Sequence, residues 1–143
     1  MDWRGPPRLV LGQAVVELAV VLPVLLLMLI GSVNVGLMIN AQMELTQAAW
    51  EGARAGATIV DPASGDAEIK GAINRALSSL DPTALDVEIS PAADEWPRTE
   101  AWPQPRGHPL TISLSYDFPL YLPGAVKVPL QAKAVSRMEY QNP

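Results

Sequence analysis

The sequence predicts an α+β chain: a long N-terminal hydrophobic helix, then a second helix packed on a small antiparallel sheet of about three strands. Three observations predict it. Residues Leu18 to Met43 contain no Asp, Glu, Lys or Arg, an uncharged run of 26 positions. Apolar residues return at helical spacing between Asp66 and Leu80. Three later stretches alternate apolar with polar residues, the period of a half-buried strand.

The uncharged run comes first. As a helix it is about 39 Å long at ~1.5 Å per residue, more than the ~30 Å of a bilayer core. Asn34 and Asn40 soften its far end, so the membrane-spanning part is placed at about 16–38. The other reading, a buried core helix, fails on supply: a chain of 143 residues has too little other sequence to cover such a helix on all sides. Arg4 and Arg8 precede the run and only Asp2 opposes them. The positive-inside rule then keeps the N-terminus cytoplasmic and sends the C-terminal hundred residues across. A cleaved signal peptide shares the basic start. However, the run exceeds a usual h-region, Glu17 stands at its beginning, and Ile39-Asn40-Ala41 is a poor cleavage site.

Within the run, Pro23 removes one helix hydrogen bond and is expected to kink the span. Gly31 and Gly36 either allow close helix contact or are ordinary membrane-helix glycines. Glu17 demands an account, because a carboxylate at mid-bilayer costs about 2.5–3.5 kcal/mol on insertion scales. It either sits at headgroup level or has a partner. It is also the fifth residue after Gly12.

Asn40 to Ile59 has no proline, so the helix is expected to continue to residue 59. Ala49, Gly52, Ala53 and Gly56 place small residues on one broad face, where a partner backbone could approach. Met43, Gln47, Trp50 and Arg54 line another face. Glu51 and Arg54 stand at i,i+3, a modestly supportive pair. Glu44 and Glu51 read as an exposed acidic face.

Asp61-Pro62-Ala-Ser-Gly is a turn. In the second helix, Asp66 to Leu80, the residues Ile69, Ala72, Ile73, Ala76, Leu77 and Leu80 form an apolar stripe. Ser64 or Asp66 can cap it, and Asp81-Pro82 ends it. The strands follow: Leu85, Val87 and Ile89; Leu110 to Phe118; Val126 to Ala134. Pro129 places the last strand at an edge. Between the first two strands, residues 90–109 carry five prolines, Trp96 and Trp102, with Asp94, Glu95, Arg98 and Glu100 among them. This reads as a solvated surface loop, or as a partner-binding loop anchored by Trp96 and Trp102.

Composition narrows the function. The chain has no cysteine, which excludes disulfides, thiol nucleophiles and thiolate metal sites, and one histidine, which argues against a histidine zinc site. A net charge of −5 argues against nucleic acid as a partner. Nucleotide-binding, hydrolase and EF-hand patterns are absent, and His108 stands without a local Ser or Asp motif. Asp61 and Asp66 are better capping residues than calcium ligands. No enzyme, metal or cofactor is expected.

Two stretches, and the chain's last strand, carry a family resemblance. Arg8-Leu-Val-Leu-Gly-Gln-Ala-Val-Val-Glu-Leu-Ala-Val-Val-Leu-Pro-Val-Leu-Leu-Leu resembles the N-terminus of TadE-like pseudopilins of the tight-adherence (Flp-type) pilus machinery. Gln47-Ala-Ala-Trp-Glu-Gly-Ala-Arg-Ala-Gly-Ala resembles the Ala-rich segment of that family, and Ala132-Lys-Ala-Val-Ser-Arg-Met-Glu-Tyr its closing strand. Residues 60 to 125 match only in their order of elements. The resemblance implies a pilin-like fold and a cut by prepilin peptidase between Gly12 and Gln13, with Glu17 as fifth residue of the mature chain. The chain then divides into a basic leader (1–12), the long helix (13–59) and an exported head (60–143). After the cut, Glu17 of one subunit could pair with the new α-amino group of Gln13 in its neighbour, offsetting the cost of both charges at membrane depth. The implied function is that of a non-enzymatic minor pilin or pseudopilin of a tight-adherence pilus or related secretion system. It would reside in the bacterial inner membrane or enter a surface pilus. Its implied partners are other pilin subunits through the N-terminal helix, prepilin peptidase, the pilus platform and motor, and membrane lipid. The alternative is an unprocessed single-pass anchor for an extracytoplasmic binding or scaffold domain.

Overall fold

The computed structural model describes residues 8–58, 65–100, 105–121 and 126–139, with side chains from Gly12 onward. Its elements are helix α1 (Arg8–Ala57), helix α2 (Asp66–Ala76), a 3-10 turn (Pro82–Ala84) and strands β1 (Leu85–Ser90), β2 (Pro109–Pro119) and β3 (Lys127–Arg137). This is the predicted α+β arrangement. The expected turn at Asp61–Pro62, the cap Ser64 and the loop anchor Trp102 lie outside the described residues. The chain forms two compact units, residues 1–36 and residues 37–143.

In the first unit, α1 begins at Arg8, five residues before the expected start, so Gly12 and Gln13 already lie within the helix. Nothing in Arg8-Leu-Val-Leu breaks a helix, and propagation past an existing turn is cheap. The helix runs unbroken through Pro23, whose missing N–H leaves the Ala19 carbonyl without its usual donor. Ser32 Oγ donates to the Met28 carbonyl and Asn34 Nδ2 to that of Ile30, both at 2.8 Å. The Ser32 hydroxyl and the Asn34 amide N–H thus donate to the helix's own backbone.

In the second unit, the sheet has the order β1-β2-β3 with both pairs antiparallel. β3 is an edge strand, as Pro129 required. Leu110, Ile112, Leu114 and Phe118 of β2 point into the core with Leu130, Ala132 and Ala134 of β3. Asp86, Glu88, Gln131 and Lys133 face outward and are exposed, the polar face of the predicted alternation. The core is closed by α2 through Ile69 and Ile73 and by the C-terminal part of α1 through Ala41, Leu45, Ala48, Ala49 and Ala53. Each fully buried Leu or Ile contributes about 1.5–3 kcal/mol.

The small residues of α1 set how near these layers come. A methyl group on Gly52 would stand 2.7 Å from Cγ1 of Ile73, and one on Gly56 2.2 Å from Cδ2 of Leu110. The face of Ala49, Gly52, Ala53 and Gly56 is thus occupied by α2 and β2 of the same chain.

Two hydrogen bonds fix α1 against β3. Gln42 Nε2 donates to the Gln131 carbonyl at 2.8 Å, and Ser136 Oγ to the Ala53 carbonyl at 2.6 Å. The eleven residues from Gln42 to Ala53 span about 16 Å of helix, and the five from Gln131 to Ser136 about 17 Å of strand. Equal spans with both ends joined mean that helix and strand run side by side in the same direction. α1 ends where the Glu139 amide donates to the Ala57 carbonyl at 2.7 Å, two residues before the expected end.

α2 also ends early, at Ala76 rather than Leu80. Leu77 turns to an extended conformation, its amide closing on the Ile73 carbonyl. The following amides are taken by a different acceptor, the Glu44 carboxylate. No side chain caps the N-terminus of α2, where Gly65 is the cap residue. Asp66, one of the two expected caps, pairs with Arg98 instead.

Candidate functional site

The predicted site residues fall into two groups. Gly12, Gln13, Glu17 and Pro23 lie on the apolar part of α1. Ala49, Gly52, Ala53, Gly56 and Trp96 belong to the unit 37–143.

On the apolar part, the side chains from Val15 to Ile30 are exposed on every side of the helix, Leu27 and Met28 by about two thirds. This is one helix long and apolar enough to cross a membrane. An all-round apolar surface of this extent is unstable in water and at rest in hydrocarbon. Near its beginning, Gln13 Nε2 donates to Glu17 Oε1 at 3.1 Å across one helical turn. Position 13 and the carboxylate are therefore neighbours on one face. Around Gly12, a methyl group would meet nothing within 4 Å, so that position is open to an approaching partner.

The unit 37–143 holds a residue that sequence reasoning misread. Glu44 was expected on an exposed acidic face; it is only 7% exposed. Its carboxylate accepts from the amides of Ser78, Ser79 (2.7 Å) and Leu80 (3.3 Å) and from Ser79 Oγ (2.5 Å). Burial pushes the carboxyl up. The Ser79 hydroxyl and the three amides outweigh this and hold it at about 2. Glu44 is thus a charged staple that binds the turn after α2 to α1. In the sequence, Ser78-Ser79 within the last turn of the apolar helical stripe is the only trace of it, since such residues leave their backbone available at helix ends.

Arg98 was likewise expected in a solvated loop and is 3% exposed. Its Nη2 lies 2.6 Å from Asp66 Oδ1, and Nη1 donates to the Pro91 carbonyl at 3.1 Å. Glu95 accepts from the Ala92 amide at 3.0 Å, closing the turn before it. These contacts anchor residues 91–100 to the start of α2. Trp96 is held exposed, its ring edge-on to His108 with centroids 4.7 Å apart. His108 is half-buried against that ring. On α1, Trp50 and Met43 are exposed. Glu51 and Arg54 are 4.0 Å apart with both side chains in solvent, a pair of little energetic weight. Among the described residues, no group of three or more His, Asp or Glu side chains could hold a metal ion.

No curated protein and no solved structure matches the chain. A family model described as TadE-like protein matches residues 12–54. The match begins at Gly12, takes in Gln13, Glu17 and the whole apolar run, and closes on the Gln47–Arg54 segment. The last strand lies beyond it. From Gly12 to Arg54, the helix of this chain matches the TadE-like family.

Proposed function

We propose that the chain is a membrane-anchored structural subunit, a minor pilin or pseudopilin of a tight-adherence pilus or a related secretion system. The observation that carries this is the pairing of an apolar helix exposed on all sides with Gln13 and Glu17 one turn apart at its start. The TadE-like match over the same residues supports it. In this reading residues 16–38 span the bacterial inner membrane, the N-terminus is cytoplasmic and the α/β head extracytoplasmic. Prepilin peptidase removes residues 1–12. The freed ammonium of Gln13 is then at the N-terminus of the helix, one turn before Glu17, and a neighbouring subunit's Glu17 neutralises it during assembly. Its partners are other pilin subunits, the peptidase and the pilus platform.

The intact mass of the membrane-extracted protein tests the cut. Loss of residues 1–12 in cells holding the peptidase, abolished by Gly12→Ala, is the expected result. A full-length mass in those cells refutes it. Glu17→Ala should leave cleavage intact and impair piliation, and normal piliation refutes the role given to Glu17. One observation favours the second reading, an unprocessed anchor carrying a binding or scaffold domain: the Gly12–Gln13 bond lies inside a helix, and a protease must unwind it. The same mass measurement separates the two.

A further inference from the structure

We propose that the polar face of the sheet docks a second copy of this chain, the two faces meeting about a two-fold axis that runs along the strands. The proposal rests on the reading of the chain as a membrane-anchored subunit. It concerns a surface of the unit 37–143 that lies on the far side of the sheet from α1 and α2.

The outward side chains form rows across the three strands. One row sets Asp86 beside Ser115 and Ser115 beside Gln131; the next sets Glu88 beside Ser113 and Ser113 beside Lys133. These six residues line one open groove, and the four long side chains at its margins are exposed. Each row thus runs from a carboxylate on β1, over a short hydroxyl on β2, to a donor on β3. Glu88 and Lys133 stand two strand spacings apart, about 10 Å, too far to pair within one sheet, and neither has an ion pair among the described residues. By the same alternation Lys127 and Arg137 extend the positive margin, and both are exposed. The face is acidic along one margin and basic along the other.

Such a face is complementary to itself in one orientation. An axis along the strands lays each row on its own copy with the ends exchanged. Glu88 then faces Lys133 of the second copy, Lys133 faces the second copy's Glu88, and Asp86 faces the Gln131 amide. Ser113 and Ser115 lie on the axis. The strands stay aligned, as in packed sheets, which stand ~10 Å apart. An axis across the strands would instead set β1 on β1, carboxylate against carboxylate, a like-charge contact that disfavours association. The unpaired edge of β1 fares no better: joined to its copy about Val87, it brings Asp86 opposite Glu88, which destabilises a strand pair. The strand-parallel axis also keeps the two Leu37 ends, where the chain enters this unit, at the same end of the pair, because α1 and β3 run in one direction. That suits two chains held in one membrane; both other axes set those ends opposite.

Two features limit the strength of the contact. Asp117 lies on β2, exposed, and so meets its copy at the axis. The face is also small, about 14 Å across its strands, well short of the ~800 Å² a side of a standard interface. It therefore serves subunits already concentrated in a bilayer, where the second contact is close to intramolecular.

The chain has no cysteine, so Ser113→Cys supplies a single thiol on the axis. Full-length protein is reconstituted at low density in vesicles of phosphatidylethanolamine and phosphatidylglycerol and treated with a bismaleimide spanning about 10 Å, the distance between packed sheets. Covalent dimer is expected. Glu88→Lys or Lys133→Glu in that background should cut its yield severalfold, the two together should restore it, and Asp117→Asn should raise it. A yield indifferent to the single reversals, or not restored by the double one, overturns the proposal. So does dimer formed by Val87→Cys or by Trp50→Cys on α1 in place of Ser113→Cys, which would join the copies by the β1 edge or the helix. No dimer at position 113 from a chain that alkaline carbonate leaves in the vesicles sinks the proposal and spares the anchor. A chain that carbonate releases overturns both.

Discussion

Replacing Glu44 by glutamine keeps the shape of the side chain and removes its charge. In the folded protein the carboxylate faces three amides and one hydroxyl. The substituted amide offers one oxygen to those donors and turns an NH2 group toward the rest. The size of the effect can be worked from the proton equilibrium. A carboxyl held at about 2 instead of 4.5 corresponds to about 3 kcal/mol of preference for the folded state when ionised. Losing two or three charge-assisted bonds at ~1.5 kcal/mol each leads to a similar figure. The sign is fixed: the folded value is lowered, so the contribution is complete above the unfolded value of 4.5 and is lost as pH falls through about 2. Urea unfolding of the full chain in detergent micelles, followed by tryptophan emission, measures it. Glu44→Gln should lower stability by about 3 kcal/mol at pH 7. Near pH 2 the wild type should have lost about nine tenths of that advantage. A penalty equal at pH 7 and pH 2 would show that shape and not charge holds the turn, and would refute the reasoning.

Gly56→Ala gains up to ~1 kcal/mol of helix propensity but drives a methyl group into Leu110, so a net loss of about 1–2 kcal/mol is expected in the same unfolding assay. Gly12→Ala, with nothing within 4 Å, should leave that stability unchanged. Arg98→Met removes the buried partner of Asp66 and should cost about 2–4 kcal/mol, less than a fully buried pair because Asp66 is one-third exposed; its more specific signature is a change in Trp96 emission as the segment 91–100 loosens. Ser136→Ala deletes one bond to the Ala53 carbonyl and should cost about 1 kcal/mol, with faster hydrogen exchange confined to the β3–α1 seam.

What could be read in the sequence was what depends on period and composition. The 26 uncharged positions define the apolar helix. The alternation in Leu110–Phe118 gives β2 its inward face, and Pro129 puts β3 at an edge. What could not be read depends on groups far apart in the chain. Glu44 and Ser79 are 35 residues apart, and nothing local in either tells a solvated glutamate from one that caps another element. The same long-range choice shortened α2: Ser78 to Leu80 fit a helical stripe, and Leu80 is buried as that stripe requires, yet their amides have a better acceptor than the α2 carbonyls. Arg98 sits among charges that look solvated until the fold brings Asp66 beside it. The small residues of α1 were legible as a packing face, but not whose backbone would fill it. Gln13 and Glu17, one turn apart on a single helix, needed no fold at all.

The parallel run of α1 and β3 has a mechanical consequence. A force drawn along the axis of α1 reaches the unit 37–143 along the seam joined by Gln42–Gln131 and Ser136–Ala53. Contacts aligned with a load share it and must slip together, whereas contacts across a load peel one after another. The helix is thus joined to its sheet in shear, the sturdier of the two geometries, and a pull along the stretch 37–57 would be borne by some ~16 Å of packed core at once.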